Sequence, residues 1–388
     1  MTKEFDYVVV GLGGIGSAVA YWLARRAQGT VLGLEQFELE HERGASHDHS
    51  RIIRHSYHTP EYVELTKGAY LAWEALEEDV GEKLLLRTGG LDLWPEGAAI
   101  PMTDYVTSLE AGGIAFELLD AAEITRRWAQ WRLPDDVRGL YQERGGIAPA
   151  MLCNRAHRRM ARLHGAELRE HARVTAIRTQ GGEYEVAAGD VVYRCGAVVL
   201  ATDAWTNSLL TQFGLELPLT VTQEQVTYWS PPDPELFSPQ RFPIWIWMDE
   251  PSFYGFPVFG APGVKAAQDV GGEEVTAETR RFQPDAAAVA RVEEFLQRYL
   301  PTAIGPILYS KGCLYTMPPD RDFVVDRVPE HGRIFIALGA AHGFKFASLL
   351  GSIVADLVVE GHTQHDIRSF RIDRPVLTEL NAARSFLI

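Results

Sequence analysis

Three glycines near the amino terminus have a spacing that could hold a pyrophosphate. Gly11, Gly13 and Gly16 form the pattern G-x-G-x-x-G, between an apolar run at 5–10 and a segment with apolar residues at helical spacing. Glycines let the backbone approach the phosphates, and the amino terminus of the following helix stabilises their charge. The pattern therefore predicts a dinucleotide site, whose contacts also include Gly14 and Ile15.

Glu35 follows a second apolar run, at 31–34, and so ends a unit of strand, helix and strand. A carboxylate at this point can accept hydrogen bonds from ribose hydroxyls, and it suits an unphosphorylated 2′-hydroxyl. The sequence therefore disfavours NADP. The glycine pattern alone leaves both FAD and NAD open.

Other side chains that could do chemistry are grouped in four segments farther along the chain. These are SRIIRHSY at 50–57, YGFPVFG at 254–260 with Lys265 after it, KGCLYTMPPDRDFVVD at 311–326, and HGFKF at 342–346. Together with GLGGIG at 11–16 they resemble, in order and spacing, the monomeric sarcosine oxidase and N-methyltryptophan oxidase family of FAD-dependent amine oxidases. The resemblance covers nearly the whole chain and implies FAD as the cofactor.

Cys313 stands where this family carries a cysteine bonded to the 8α-methyl carbon of the flavin. The resemblance therefore implies FAD attached covalently through a thioether. A thiolate can add to an electrophilic tautomer of oxidised flavin, and neighbouring Lys or Arg side chains would favour the thiolate. Cys153 and Cys195 lack such a motif, and we interpret them as small buried residues.

Two cations match the family's residues that hold a substrate carboxylate. Arg54 offers a planar fork and Lys345 a point charge, so that together they would select an α-amino acid. Lys265 aligns with the family's lysine above the flavin, where a fixed positive charge stabilises superoxide during reoxidation. The residues that the resemblance assigns to orientation and hydrogen bonding in the active site are His342, Tyr315 and Tyr254.

The expected substrate pocket departs from the family's pattern at one position. Sarcosine-oxidising members have a histidine four residues after the oxygen-activating lysine, and this chain has Asp269. Trp245 and Trp247 lie on one face of the strand before YGFP, because side chains two residues apart point the same way. They could line the pocket or pack in the core. If they line it, they and Asp269 favour a ring-shaped substrate.

The same resemblance implies further contacts to FAD. Residues 201–205 match a strand-to-loop segment beside the cofactor, with Asp203 in place of the usual glycine. Val174, in a strand pattern before that segment, is a candidate adenine contact. The predicted cofactor contacts beyond the glycine turn, Glu35 and Cys313 are Ser50, Arg51, Val174, Ala201, Trp205, Gly343, Phe344 and Lys345.

The order of apolar segments predicts an α/β protein with a Rossmann-like FAD-binding domain and a second domain. The FAD-binding domain is expected at 1–85, 145–215 and 315–388, because its first unit is interrupted and its strand patterns resume later. Residues 86–144 and 216–314 are expected to form a substrate-binding domain around a mixed or antiparallel sheet. The active site should lie between the flavin and that sheet.

Composition limits the partners that the chain could have. The 388 residues carry a formal net charge of −15, which argues against binding nucleic acid. No apolar run approaches the roughly 20 residues needed to cross a bilayer, and the start lacks a signal-peptide pattern, so we expect a cytoplasmic protein. The cysteines have no zinc-ligand spacing, and no metal is expected. The expected protein is a monomer.

The predicted reaction is oxidation of a small secondary amino acid, such as an N-methylated one, to an imine, with molecular oxygen reduced to hydrogen peroxide. An oxidase of a cyclic amino acid or cyclic imine carboxylate is the alternative within this class. An NAD-dependent dehydrogenase would share the glycine turn, and a noncatalytic flavin-binding protein would share the cofactor. These two are the alternatives from other classes.

Overall fold

The computed structural model describes residues 2–379 and 382–387. Its strands are β1 (Thr2–Val10), β2 (Val31–Leu34), β3 (Arg51–Ile53), β4 (Leu86–Arg87), β5 (Gly90–Trp94), β6 (Glu117–Asp120), β7 (Arg138–Gln142), β8 (Gly146–Ala148), β9 (Glu167–Arg169), β10 (Val174–Gln180), β11 (Glu183–Ala188), β12 (Val191–Leu200), β13 (Thr220–Trp229), β14 (Ile244–Trp247), β15 (Ser252–Phe256), β16 (Val264–Asp269), β17 (Glu273–Glu274), β18 (Ile307–Met317), β19 (Val324–Arg327) and β20 (Ile334–Leu338). Its helices are α1 (Gly14–Arg26), α2 (Pro60–Val80), α3 (Met102–Ala111), α4 (Ala121–Arg127), α5 (Ala150–Leu163), α6 (Thr206–Leu210), α7 (Ala286–Tyr299), α8 (Ala347–Val359) and α9 (Pro375–Thr378). Within these described residues, every helix is too short or too polar to span a membrane.

The first sheet is built around the strand, helix and strand unit at the amino terminus. Strands β9, β2, β1, β12 and β20 run parallel in that order. A meander of β10 and β11 joins the first half of β12, and β19 pairs antiparallel with β20. Neighbouring residues Val8 and Val9 of β1 are both fully buried, as expected for a parallel sheet covered on both faces. Helix α1 packs against α5 and α8 beside this sheet.

The second sheet has the order β17, β13, β16, β15, β14, β5, β7 and β6, with β18 also paired to β13. Its pairs are antiparallel except for β14 with β5. A small third sheet joins β3, β8 and β4 and carries Arg51 at the start of β3. The predicted α/β fold with a second, mixed sheet is confirmed.

The two large sheets draw on different parts of the chain. The strands of the first sheet lie at 2–10, 31–34, 167–200 and 324–338, inside the segments predicted for FAD binding. Strand β18 crosses the boundary predicted at 315, because it pairs with β13 as far as Met317. The division into two domains stays a prediction, and its boundary at 315 falls inside β18.

Candidate active site

The glycine turn between β1 and α1 is shaped by the absence of side chains. Gly11 has φ of +87°, and a Cβ atom there would lie 2.5 Å from the carbonyl oxygen of Ala201. A Cβ atom on Gly16 would lie 1.9 Å from the carbonyl oxygen of Gly11. Both positions therefore require glycine. Gly13 brings no side chain of its own to the start of α1, where the backbone nitrogen of Gly14 donates to Oγ of Ser46 at 2.9 Å, and a pyrophosphate would approach beside this contact.

Glu35 lies buried just after β2 and faces the same turn. Its Oε2 accepts a hydrogen bond from the backbone nitrogen of Leu12 at 2.9 Å, and its Oε1 accepts one from Phe37 at 3.2 Å. Burial opposes ionisation, but the hydrogen bonds from His41 and from the backbone hold the pKa of Glu35 below its ordinary value. The carboxylate has further lone pairs for a ribose hydroxyl. The turn and Glu35 thus fit the adenosine diphosphate half of FAD.

A cavity of about 480 Å³ extends from the glycine turn to the second sheet. It is lined from both large sheets and from the loop that follows β2. The predicted site residues that line it are Gly11, Gly13, Gly14, Ile15, Glu35, Ser50, Arg51, Arg54, Val174, Ala201, Trp205, Tyr254, Lys265, Asp269, Cys313, Tyr315, His342, Gly343, Phe344 and Lys345. Residues from segments more than 300 positions apart therefore surround one space, as the resemblance implies.

Lys265 projects from β16 into a closely packed part of the cavity wall. Its Nζ lies 2.7 Å from Oδ2 of Asp48 and donates to the carbonyl oxygen of Ser50 at 2.9 Å and to its Oγ at 3.3 Å. Burial, with a contribution from Arg51, lowers the pKa of Lys265 to about 8, although the carboxylate of Asp48 acts in the opposite direction. The side chain is therefore mainly positive at neutral pH and is shielded from water.

Cys313 lies on β18 close to the same cationic groups. Arg51 and Lys265 favour its thiolate as expected, but burial outweighs them and raises the pKa of the thiol to about 11. The guanidinium of Arg51 is fixed by donating to the carbonyl oxygens of Ser50 and Ala45, each at 2.8 Å. The thiol is thus protonated at neutral pH, with a fixed cation beside it.

Arg54 stands in the cavity wall with a carboxylate behind it. Its Nη1 donates to Oδ1 of Asp92 at 2.9 Å, and both side chains are almost fully buried. Ser56 donates a second hydrogen bond to the same carboxylate. In the part of the chain that the structure describes, Nε of Arg54 has no hydrogen-bond partner. Nε is itself covered by neighbouring protein atoms, so a ligand in the cavity would meet another part of the Arg54 guanidinium.

A chain of hydrogen bonds connects Lys345 to His342 through Tyr57. Nζ of Lys345 donates to the hydroxyl of Tyr57 at 3.0 Å and to the carbonyl oxygen of His342 at 3.0 Å. The Tyr57 hydroxyl also lies 3.0 Å from Nδ1 of His342, whose Nε2 is 3.0 Å from the carbonyl oxygen of Arg321. Burial holds the pKa of His342 well below its ordinary value. Because a carbonyl only accepts, the neutral ring is protonated on Nε2 and its Nδ1 accepts from Tyr57.

Asp269 is tied to a second arginine in the cavity wall. Its two carboxylate oxygens each accept a hydrogen bond of 2.9 Å from Arg321, in a bidentate ion pair. Burial opposes ionisation, yet Arg321 holds the pKa of Asp269 below its ordinary value. Nη1 of Arg321 also donates to the carbonyl oxygen of Phe386 at 2.7 Å. The charge of Asp269 is therefore matched inside the protein.

Three of the predicted site residues do not line the cavity. Gly16 lies beneath the turn, where it allows α1 to approach β1. Trp245 and Trp247 were expected as possible pocket residues, and this is wrong because both face α7 on the other side of the second sheet. The Trp245 ring stacks on Phe295 with centroids 5.5 Å apart, and Trp247 stacks on Tyr299 at 4.4 Å. Ile246, between them, lines the cavity.

Replacing Trp247 with alanine is expected to lower the free energy of unfolding by about 3 to 5 kcal/mol, because it leaves a cavity in a packed aromatic layer. The Michaelis constant for substrate should be unchanged in the folded enzyme. Denaturant unfolding and steady-state kinetics check both parts. Ile246→Ala is the matched variant on the opposite face, and there the Michaelis constant should change. A large rise in the Michaelis constant for Trp247→Ala with unchanged stability would restore the pocket interpretation.

Sequence reasoning missed several residues that line the cavity or hold its cations. Tyr57 and Arg321 lie inside the motifs at 50–57 and 311–326. Both residues could therefore have been predicted from those motifs. Asp48 lies two residues before the motif at 50–57, and nothing in the sequence marks its backbone φ of +77°. Asp92 is on β5, far from any motif, and only the tertiary structure brings it to Arg54.

The comparisons with known proteins agree with this geometry. The profile of the FAD-dependent oxidoreductase (DAO) family matches residues 6–357. This protein belongs to that family and is an FAD-dependent oxidoreductase. It is 30% identical to monomeric sarcosine oxidase of Bacillus sp. (strain B-0618) over 98% of each chain. It is also 30% identical to N-methyl-L-tryptophan oxidase of Escherichia coli O81 (strain ED1a), over 96% of this chain and 99% of that one.

A solved structure shares nearly the whole backbone. The open form of NikD, described as an unusual amino acid oxidase essential for nikkomycin biosynthesis, superposes with a TM-score of 0.85 and 27% identity. The match covers 95% of this chain and 97% of that one. L-proline dehydrogenase of P. horikoshii also gives a TM-score of 0.85, at 21% identity, which shows that the fold is shared.

Proposed function

We propose that this protein is an oxidase of a small secondary amino acid, such as sarcosine or another N-methylated amino acid. The observation that carries the proposal is the presence of Arg54 and Lys345 in the wall of the same cavity as Lys265 and Cys313. Two cations suit a substrate carboxylate, and a buried ammonium suits the reduction of oxygen. The products are an imine, which water hydrolyses, and hydrogen peroxide.

The two cations keep hydrogen-bonding capacity for the carboxylate. The hydrogen bonds that Arg54 makes as a donor in the described structure run through Nη1, and Lys345 uses only part of its donor capacity on Tyr57 and His342. Burial, together with the charges of Arg54 and Arg321, holds the pKa of Lys345 well below its ordinary value. A carboxylate bound here would raise that pKa and so favour the charged ammonium of Lys345.

The remaining residues hold the cofactor and the reacting amine. When bound, FAD supplies the hydride acceptor and passes the electrons to oxygen. The glycine turn and Glu35 would hold its adenosine diphosphate half, with Val174 and Trp205 beside the adenine, and Ser50 and Arg51 on the flavin side. Both ring nitrogens of His342 are already hydrogen-bonded, so His342 would orient Tyr57 rather than take a proton from the amine. Tyr254 and Tyr315 would border the substrate.

A substrate screen tests the proposed function directly. Purified enzyme would be mixed with N-methyl amino acids, primary amino acids and cyclic amino acids, with peroxide production and anaerobic bleaching of the flavin spectrum both recorded. We expect bleaching and stoichiometric peroxide with an N-methyl amino acid. A flavin spectrum that no amine bleaches would contradict the proposal and favour a noncatalytic flavin-binding protein. Bleaching without peroxide would contradict the oxidase part.

The case for a cyclic substrate is weaker than the sequence suggested. It rested on Asp269 and on the two tryptophans, which pack against α7 instead of facing the cavity. Asp269 is itself matched by Arg321 and does not offer a free charge to a ring nitrogen. Cyclic amino acids are therefore included in the screen as the alternative, and an N-methyl amino acid is the expected substrate.

Covalent attachment of the flavin through Cys313 is expected to keep the yellow colour with the protein after acid precipitation. The support is the position of Cys313 in the cavity, close to Arg51, and its match to the family motif. Cys313→Ala should release all its flavin into the supernatant under the same conditions, while Cys153→Ala serves as the matched control and should release none. Release of all flavin from a fully loaded wild-type preparation would show that the link is absent.

A further inference from the structure

The ammonium of Lys265 is engaged by groups of the protein itself. Its three hydrogen-bonding contacts go to the carboxylate of Asp48 and to the two oxygens of Ser50, and the side chains of Lys265 and Asp48 are each only 2% exposed. The ammonium also lies over the ring of Phe256, 4.8 Å from its centroid. The charge proposed to face oxygen is thus paired with a buried anion.

Asp48 is held firmly on its other side. The hydroxyl of the fully buried Tyr228 contacts both carboxylate oxygens, at 3.0 and 2.9 Å, and the Tyr228 ring stacks on Tyr309. The backbone of Asp48 has φ of +77°, in the left-handed region that residues other than glycine, asparagine and aspartate seldom adopt. Such a conformation persists only where surrounding contacts impose it, and it is often found at functional sites.

We propose that Asp48 is a positioning residue that holds the ammonium of Lys265 in place, keeps it protonated, and thereby sets the pH range over which the reduced enzyme reacts with oxygen. This inference rests on the proposed function, in which Lys265 acts during that reaction. Dioxygen takes up two electrons and one proton from the reduced flavin and one proton from solvent to become hydrogen peroxide. Neither Lys265 nor Asp48 forms or breaks a covalent bond in this step.

The charged and titratable groups around Lys265 explain why the anion matters. Arg51, on β3, repels the ammonium, and burial acts in the same direction. The thiol of Cys313 on β18 and the hydroxyl of Tyr228 on β13 are neutral, because burial raises both pKa values. His47 is neutral too, because burial lowers its pKa to about 3. Asp48 is thus the carboxylate that offsets burial and Arg51.

The first test measures the protonation of Lys265 in the holoenzyme without using activity. Lysine side chains labelled with ¹³C at the ε position would be followed by NMR against pH, and Lys265→Met would assign the signal. Wild type should titrate near pH 8, and D48N should titrate about 1 to 3 units lower, since an opposite charge at contact shifts a pKa by that amount. D48G, which also removes the charge and relieves the backbone, should agree with D48N. An unchanged pKa in both variants would overturn the proposal.

The second test follows reoxidation of the reduced enzyme by stopped flow from pH 5 to 9. Near pH 7.5 the rate constant of D48N should fall about threefold if the pKa of Lys265 drops by one unit and more than tenfold if it drops by two, because less of Lys265 is then protonated. At the acid end, where D48N also carries the ammonium if its pKa has dropped by no more than about two units, D48N should react at least as fast as wild type, because no anion offsets the charge. A uniform loss at every pH, or a matching loss in the anaerobic reduction step, would overturn the proposal and indicate a general structural role.

Failure of this inference can be separated from failure of the proposed function. If Lys265→Met leaves reoxidation unchanged, the oxygen-activating role of Lys265 is wrong, and with it the kinetic part of the inference. The NMR titration of D48N still decides whether Asp48 keeps Lys265 protonated. If Lys265→Met slows reoxidation but D48N shifts neither the pKa nor the pH profile, the proposed function stands and the role of Asp48 is wrong.

Discussion

Replacing Lys265 with methionine is expected to slow reoxidation of the reduced enzyme by about a hundredfold to a thousandfold, the usual effect of removing one preorganised charge or donor from a developing anion. Anaerobic reduction by substrate should change by only a few fold. The reason is that superoxide, the anion that the ammonium would stabilise, forms only in the oxidative half of the reaction. Methionine keeps most of the length of the side chain and removes the charge.

Stopped-flow absorbance separates the two half-reactions. Lys311→Met is the matched control, because Lys311 also lines the cavity but its ammonium is paired with the exposed carboxylate of Glu42. The control should leave both half-reactions close to wild type. Equal losses in reduction and reoxidation for Lys265→Met would make Lys265 a structural residue and remove the main physical support for an oxidase.

Replacing Arg54 or Lys345 with methionine is expected to weaken binding of carboxylate substrates and simple carboxylate inhibitors by about tenfold to a hundredfold. A hydrogen bond to a charged group contributes roughly 1.5 to 3 kcal/mol, and each 1.4 kcal/mol is a factor of ten in affinity. Arg54→Met should have the larger effect, because it leaves the carboxylate of Asp92 buried and unpaired near the bound anion. Titration of the flavin spectrum with an inhibitor measures the affinity.

Two controls make the carboxylate prediction specific. An N-methylamine that lacks the carboxyl group should bind Arg54→Met and wild type with similar affinity. The double variant Arg54→Met with Asp92→Asn restores the charge balance and should recover part of the lost affinity for the carboxylate. If the decarboxylated amine loses as much affinity as its parent amino acid, the two cations shape the cavity rather than bind the anion, and the amino-acid substrate is in doubt.

The glycine turn and Glu35 could be predicted because their role is local. Gly11, Gly16 and Glu35 belong to one continuous unit of strand, helix and strand, and steric exclusion of a Cβ atom is a property of that unit alone. The family, the α/β fold with a second mixed sheet, and dependence on FAD are confirmed. The motifs around Arg54, Cys313 and Lys345 carried enough of the family's pattern to place those residues at one cavity.

The rest of the site depends on contacts that the sequence does not contain. Spacing puts Trp245 and Trp247 on one face of a strand but cannot say which face meets the cavity. Residues of α7 about 50 positions away decide that. Asp48 and Asp92 lie outside the recognised motifs and become important only when folding brings each to a buried cation. Pairing of charges in a core is a tertiary property.

Strand β14 has one residue that lines the cavity and two that pack against α7, so substrate preference and folding can change separately during evolution. Ile246 lines the cavity between its cross-strand partners Tyr254 and Asp92, whereas the tryptophans on either side hold the helix to the sheet. A lineage could therefore change its preferred amine through position 246 while selection for folding preserves the bulky aromatics beside it. Relatives with different substrates should vary at 246 and share large rings at 245 and 247, and a library randomised only at 246 should yield altered preference with little loss of soluble enzyme.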